Sequence, residues 1–217
     1  SVQVLASGFV QFGNFDYGPI FSTFGYNEVE GVRLRAGGRT YFGTDDSWRV
    51  QGYTAYGFKD DKFKYGFSGK WMVDRKNRLI LSGGNRRDIE QIGASLTATY
   101  DVLGRSSASS SVFTSGSNGK LTAINLSNVA IEMEPVKNLT FQTGFSYRTL
   151  ESASPTFSLD YYTDVANGIV KSDVKQSEAS LQVDYTPKRK TIGFAVERQT
   201  VDSPYSRFFV NYSHGFK

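Results

Sequence analysis

The sequence predicts an all-β fold: an antiparallel up-and-down transmembrane β-barrel, or an open segment of a larger one, of about ten strands with one short helix in an outer loop. Three observations carry this. From Val32 to Val73 the residues alternate with a period of two through three consecutive segments, the pattern of a β-meander. The two faces so defined differ in kind, one aromatic and aliphatic, the other cationic. Finally, 39% hydrophobic residues at a mean hydropathy of −0.38 are so dispersed that no run reaches the ~18 apolar residues of a membrane helix. A barrel hides its apolar surface in just such alternation.

In the first segment Val32, Leu34, Ala36, Thr40 and Phe42 share one face, while Arg33, Arg35, Arg39 and Tyr41 share the other. In the second, Trp48, Val50, Thr54, Tyr56 and Phe58 oppose Arg49, Gln51 and Tyr53; in the third, Phe63, Tyr65, Phe67, Trp71 and Val73 oppose Lys64, Ser68, Lys70 and Met72. Hairpins about Asp45 and about Asp60-Asp61 pair Phe42 with Trp48, Phe58 with Phe63, Tyr56 with Tyr65 and Val50 with Trp71. Two aromatic bands result: Phe42, Trp48 and Trp71 at one end, Tyr56, Phe58, Phe63 and Tyr65 at the other. Ten residues from Trp48 to Phe58, tilted near 40°, span roughly 25 Å, the height of an outer-membrane apolar belt between its aromatic girdles. A soluble sandwich would place Leu, Ile and Val mid-face and would not line its other face so evenly with Arg and Lys.

Taken in order, Val2 to Phe12 alternates loosely and Phe15 to Phe24 forms a better strand, which Gly18-Pro19 confines to an edge or a bulge. GYNEVEG is a loop before the meander. DRKNR turns the chain into Leu79–Asn85, with Leu79 and Leu81 opposite Val73 and Trp71. From Arg86 the period changes: Ile89, Ile92, Leu96 and Leu103 have helical spacing between an Asp88 cap and Gly104, with a strand from Ala94 to Val102 as the competing reading. RSSASSSVFTSGSNGK reads as a loop. Ala123–Met133 and Leu139–Leu150 form a hairpin around EPVKN, with Phe141, Phe145 and Tyr147 outward and Gln142, Ser146 and Arg148 inward; alternation slips near Ser127-Asn128, which predicts a bulge. Glu151 to Asp173 is a long loop. Ala179–Tyr185 and Ile192–Glu197 make a hairpin around TPKRK, and Phe208–Phe216 is the last strand.

Short connections (GTDDS, DRKNR, EPVKN, TPKRK) alternate with longer ones, QTVDSPYS among them, and bacterial barrels keep short turns on the periplasmic side. Phe42, Trp48 and Trp71 then mark the periplasmic girdle. Residues 1–217 read as one barrel segment of a longer protein, beginning and ending in strand-like sequence with no signal peptide.

With no Cys, a disulfide framework and thiolate metal sites are excluded. A net charge of +4 spread along strands does not make a nucleic-acid patch. Asp45-Asp46 and Asp60-Asp61 sit in turns, short of the six or more oxygens calcium needs. His214 has no second His or Cys for zinc, and a triad resting on it is weak. The glycine-serine loops lack the lysine and helix context of a phosphate cradle. No catalytic constellation, cofactor site or metal site is expected, and the chain reads as a non-enzyme.

The stretches GPIFSTFGYNEVEGVRLRAGG, YTAYGFKDDKFKYG, RRDIEQIG and VNYSHGFK resemble a family of uncharacterised outer-membrane proteins of the Bacteroidota. Members of that family carry an N-terminal carboxypeptidase-regulatory-like domain ahead of a β-barrel. The resemblance runs over most of the chain except Ala94 to Lys120. It implies that this is the earlier part of the barrel, in the bacterial outer membrane, with no peptidase activity.

Arg33, Arg35, Arg39, Arg49, Lys64 and Lys70 are expected to face the lumen, with Glu28 and Glu30, joined by Asp88 and Glu90, folding in from the outer end. Close like charges are costly in a low-dielectric interior unless carboxylates intervene. A salt-bridge lining is the first reading, an anion-attracting lumen or docking surface the second. The expected function is a non-enzymatic outer-membrane barrel, a subunit of a surface assembly, export or transport complex, in contact with outer-membrane lipid and with other outer-membrane proteins or lipoproteins, and not with nucleic acid. The alternative is a solute channel or TonB-linked nutrient transporter, for which no plug sequence is evident.

Overall fold

A computed structural model describes residues 8–43, 45–91, 121–154, 156–201 and 206–216. In chain order the strands are β1 (Val10–Phe12), β2 (Phe15–Tyr17), β3 (Phe24–Asn27), β4 (Gly31–Thr40), β5 (Trp48–Gly57), β6 (Lys62–Asp74), β7 (Leu79–Gln91), β8 (Leu121–Val136), β9 (Leu139–Ser152), β10 (Tyr161–Asp164), β11 (Ile169–Lys171), β12 (Asp173–Tyr185), β13 (Thr191–Ile192), β14 (Gln199–Thr200) and β15 (Phe208–Phe216). One antiparallel sheet of 11 strands runs β1-β2-β4-β5-β6-β7-β8-β9-β12-β15, with β3 also on β4. Two small hairpins, β10-β11 and β13-β14, stand outside it. Among the described residues the only helical element is a 3-10 turn at Ile20–Ser22, and no helix is long and apolar enough to cross a membrane.

The sheet curls without closing: β1 and β15, its two ends, are not paired with each other. Strands three apart in a flat sheet stand about 14 Å from each other, yet Arg33 of β4 meets Asp88 of β7 at 2.6 Å. Side chains on the concave side therefore converge, as in a barrel wall.

Burial is inverted relative to a soluble protein. Phe63, Trp71 and Val129 are 71%, 57% and 60% exposed, whereas Arg33, Glu30 and Asp88 are 1%, 0% and 4% exposed. The apolar outer face continues round the sheet through Leu81, Ile131, Phe145, Tyr147, Leu181 and Tyr185. Ser146 and Arg148 are buried inward on β9, alternating with the exposed Phe145 and Tyr147.

Period two sets the face correctly in every meander strand, but register depends on the turns. Trp48 pairs with Trp71, Tyr56 with Phe63 and Val50 with Gly69, two residues from the expected register. The turn between β5 and β6 begins one residue earlier than expected, which puts Asp61 at φ 50°, and Asp tolerates that conformation better than most side chains. Phe42 and Trp48 do meet, at 4.7 Å between ring centroids. Leu81 lies opposite Trp71 as expected, while Leu79 lies opposite Asp74 because a bulge extrudes Val73. The expected Phe15 to Phe24 strand is split by the 3-10 turn into β2 and β3, both on β4.

Three expectations are overturned. Arg86 to Gln91 is strand and not the start of a helix, because it pairs residue for residue with Leu121 to Leu126; Ile92, Leu96, Leu103, Gly104, the alternative Ala94 to Val102 strand and the serine-rich loop lie outside the described residues. The bulge at Ser127-Asn128 is absent and β8 runs regularly through it, the irregularity falling instead between Met133 and Val136. What changes near Ser127 is the environment. Beyond the apolar belt, the Asn85 amide donates to Asn125 and Ser127 on the outer side, while Ile124 and Leu126 face inward beside Asp88 and Arg86 and are buried.

Thirdly, Ile192 to Glu197 is not a strand of the sheet. β12 pairs directly with β15, from Tyr185↔Phe208 to Ser177↔Phe216, so residues 186–207 form one long connection at the end where the other turns are short. The described residues of QTVDSPYS, 199–201 and 206, belong to that connection and not to an outer loop, while 202–205 lie outside the described residues. The long loop after Glu151 contains the β10-β11 hairpin.

Candidate functional site

The concave face carries the chemistry, in two groups. Toward the long-loop end, Arg33 donates two hydrogen bonds to Asp88, at 2.6 and 2.9 Å, and a further one to Glu30 at 3.0 Å. Lys64 on β6 reaches Glu30 at 2.7 Å and Asp60 at 2.5 Å. Asn27 fixes Glu30 from both sides: its amide donates to the carboxylate at 2.6 Å, and its carbonyl accepts from the Glu30 backbone N–H at 2.8 Å. The Tyr53 hydroxyl donates to Asp88, and Arg86 pairs with Glu90 four residues on, along the same face of β7. Arg33, Lys64 and Arg86 thus face Glu30, Asp60, Asp88 and Glu90, and the cations are fully matched. Buried charges persist only with such matching.

Of the expected lumen residues, Glu28 does not join: it is an exposed residue of the tip between β3 and β4, and only its carbonyl is engaged, by Lys59. Arg35 stacks over the Tyr53 ring at 4.1 Å and donates to Ser22. Arg39 pairs with Asp16 at 3.1 Å and lies over Phe9.

Toward the short-turn end stands a second group, where the expected lumen residues Arg49 and Lys70 meet a segment that the sequence reading missed. Residues 193–198 turn onto the concave face, where Ala195 and Val196 are buried, Val196 against Met72 and Ile80. Val196 N–H donates to the Asp46 carbonyl at 2.8 Å, Phe194 N–H to the Asp45 carboxylate at 3.2 Å, and Arg78 donates to the Ala195 carbonyl at 3.2 Å. Glu197 pairs with Arg49 and, at 3.2 Å, with Lys70; Asp46 holds Arg49 from its other side at 3.0 Å. Arg198 pairs with Glu134, which Arg189 also approaches to 3.8 Å. Burial raises the Glu197 carboxyl, but Lys70 and Arg49 outweigh it and hold the group below its usual range. Burial, with Arg198 and Arg189 nearby, lowers the Arg78 guanidinium against the pull of Glu132 and Glu134.

The girdle residues lie on the opposite, exposed face. Phe42, Trp48 and Trp71 cluster at the short-turn end; Tyr56 contacts Phe63 at 4.8 Å and Phe58 at 5.2 Å toward the other, with Tyr65 beside them.

One antiparallel sheet, curled, apolar outside and ionic inside, defines an open segment of an up-and-down β-barrel. Residues 10–217 match the C-terminal domain of DUF5686, a family of unknown function, and the chain belongs to that family. No curated protein and no solved structure matches it.

Proposed function

We propose that this chain is the barrel of a non-enzymatic integral outer-membrane protein of the Bacteroidota, a subunit of a surface assembly, export or transport complex. The observation that carries the reading is the inverted burial: an aromatic and aliphatic belt faces outward while matched ion pairs fill the concave side. Only an apolar surround makes that arrangement favourable, and an outer-membrane bilayer supplies one. The short-turn end then faces the periplasm, and a carboxypeptidase-regulatory-like domain preceding the barrel would lie there. Neutralised interior cations support a scaffold over the alternative, a solute channel or TonB-linked transporter that attracts anions. Native purification of the full-length parent protein in mild detergent tests this. Copurifying lipoproteins or assembly components are expected; a solitary protein that conducts ions in planar bilayers would favour the channel.

A further inference from the structure

The barrel reading leaves residues 186–201 unexplained. A connection between neighbouring strands β12 and β15 needs only a tight turn, as between β8 and β9, yet this one is long and folds back under the sheet. Its base is tied to the β8-β9 turn, where Thr186 N–H donates to the Asn138 carbonyl at 2.9 Å and the Asn138 amide donates to the Pro187 carbonyl at 3.2 Å. Its tip crosses to the other side of the mouth, engaging Asp45, Asp46 and Arg49 at the β4-β5 turn, Lys70 and Met72 of β6, and Arg78 and Ile80 at the β6-β7 turn. The tip therefore spans the short-turn opening of the curled sheet from β8 to β5.

What holds the tip is unlike what holds the strands. Its apolar anchorage reduces to Val196 against Met72 and Ile80, with Ala195 beside it, while Ile192 and Phe194 point away, 60% and 63% exposed. The rest is a ring of ion pairs and carbonyl contacts; Glu197 and Lys70 are each more than a third exposed, while Arg49 and Glu134 anchor the other two pairs from buried positions. Partly exposed pairs are individually weak and screened by salt. An element with so little apolar burial belongs to the low-stability end of a structure and opens locally before the sheet does.

We propose that residues 193–198 form a stopper that seals the short-turn mouth of the barrel interior and swings out to uncover it, with Glu197–Arg49, Glu197–Lys70 and Arg198–Glu134 as its latches. When it lifts, Lys70 loses its partner, Arg49 keeps only Asp46, and Glu134 keeps Arg78 and Arg189; these groups then line the opened mouth. The stopper rests on the barrel reading and adds to it a passage that is closed at rest.

This chain has no cysteine, so with any cysteine outside it replaced by serine a single thiol reports cleanly. The full-length protein carrying Val196→Cys is treated in detergent with a polar maleimide, with Phe194→Cys as the exposed control. Labelling at 196 is expected to be slow beside the control. It should rise about tenfold when Glu197→Gln and Arg198→Gln are added, the β-sheet circular dichroism remaining unchanged. Roughly 1 M salt, which shortens screening to about 3 Å, should produce the same rise with the latch residues intact, so a misfolded triple variant does not decide the matter. A rate at 196 already equal to the control, or one that neither salt nor the latch substitutions change, overturns the stopper. Failure of the protein to float with lipid vesicles would overturn the membrane reading, whatever the labelling shows.

Discussion

Arg33 illustrates the energetics of the interior residue by residue. Its guanidinium is 1% exposed and paired by two carboxylates, Glu30 of the β3-β4 turn and Asp88 of β7. Removing one partner of such a pair leaves an uncompensated buried charge, whereas removing both costs far less. Arg33→Met is therefore expected to destabilise the folded protein by about 3–5 kcal/mol, and Arg33→Met with Asp88→Leu by less than either single change, as read by urea unfolding in lipid vesicles. Glu197 makes the pH dependence of the short-turn end explicit. Arg49 of β5 and Lys70 of β6 face it, with Asp46 sharing Arg49. A carboxyl depressed in the folded state contributes stability above its unfolded pKa and loses it as pH falls through the folded value. Protection of the Val196 amide, corrected for intrinsic exchange, is thus expected to be complete at neutral pH and to fade only below the ordinary glutamate range. Fading near pH 7 would assign the effect to another group.

At the level of single strands, β8 separates the two environments most clearly. Val129 faces out in the belt, and Ser127, one outward position further along, belongs to the polar cluster with Asn85 and Asn125. Val129→Arg should cost about 2–4 kcal/mol in a bilayer and Ser127→Arg about 0–1 kcal/mol; equal costs would remove the boundary drawn between them. Packing between β6 and β7 gives a second prediction. A Cβ on Gly84 would lie 2.3 Å from the Phe67 carbonyl and 2.9 Å from Ser68, so Gly84→Val should lower the folded fraction in heat-modifiable electrophoresis. These strands also show where the sequence is legible. Alternation fixed which face each meander residue occupies, since a period of two admits only two answers, and the lumen side of Arg33, Arg49 and Lys64 followed. Register was not legible, because a two-residue slide preserves the faces and only the conformation at Asp61 resolves it. The stopper was hidden for a related reason: IGFAVE alternates as a strand does, and nothing local reveals that Val196 packs against Met72.

For the whole molecule, the outer belt predicts partition into bilayers. Trp48 and Trp71, the chain's two tryptophans, lie opposite each other on the exposed face. Lipids brominated near the headgroup are expected to quench their fluorescence more than lipids brominated at the chain end, as suits a girdle position; absence of quenching by either would refute membrane contact at this end. The sheet also has a temporal logic. From β4 to β9 each strand pairs with the strand before it in sequence, so the wall can grow hairpin upon hairpin, with one long closure, the 29 residues between β7 and β8. The contacts of Glu197 and Ala195 break that rule, joining Arg49 across 148 residues and Arg78 across 117. They have no binding site until β5, β6 and β7 stand side by side, and so they form last. The mouth of the barrel thereby inspects its own wall: a chain with misregistered strands among β5 to β8 offers no seat for Val196, and docking of that one turn certifies that they stand in register.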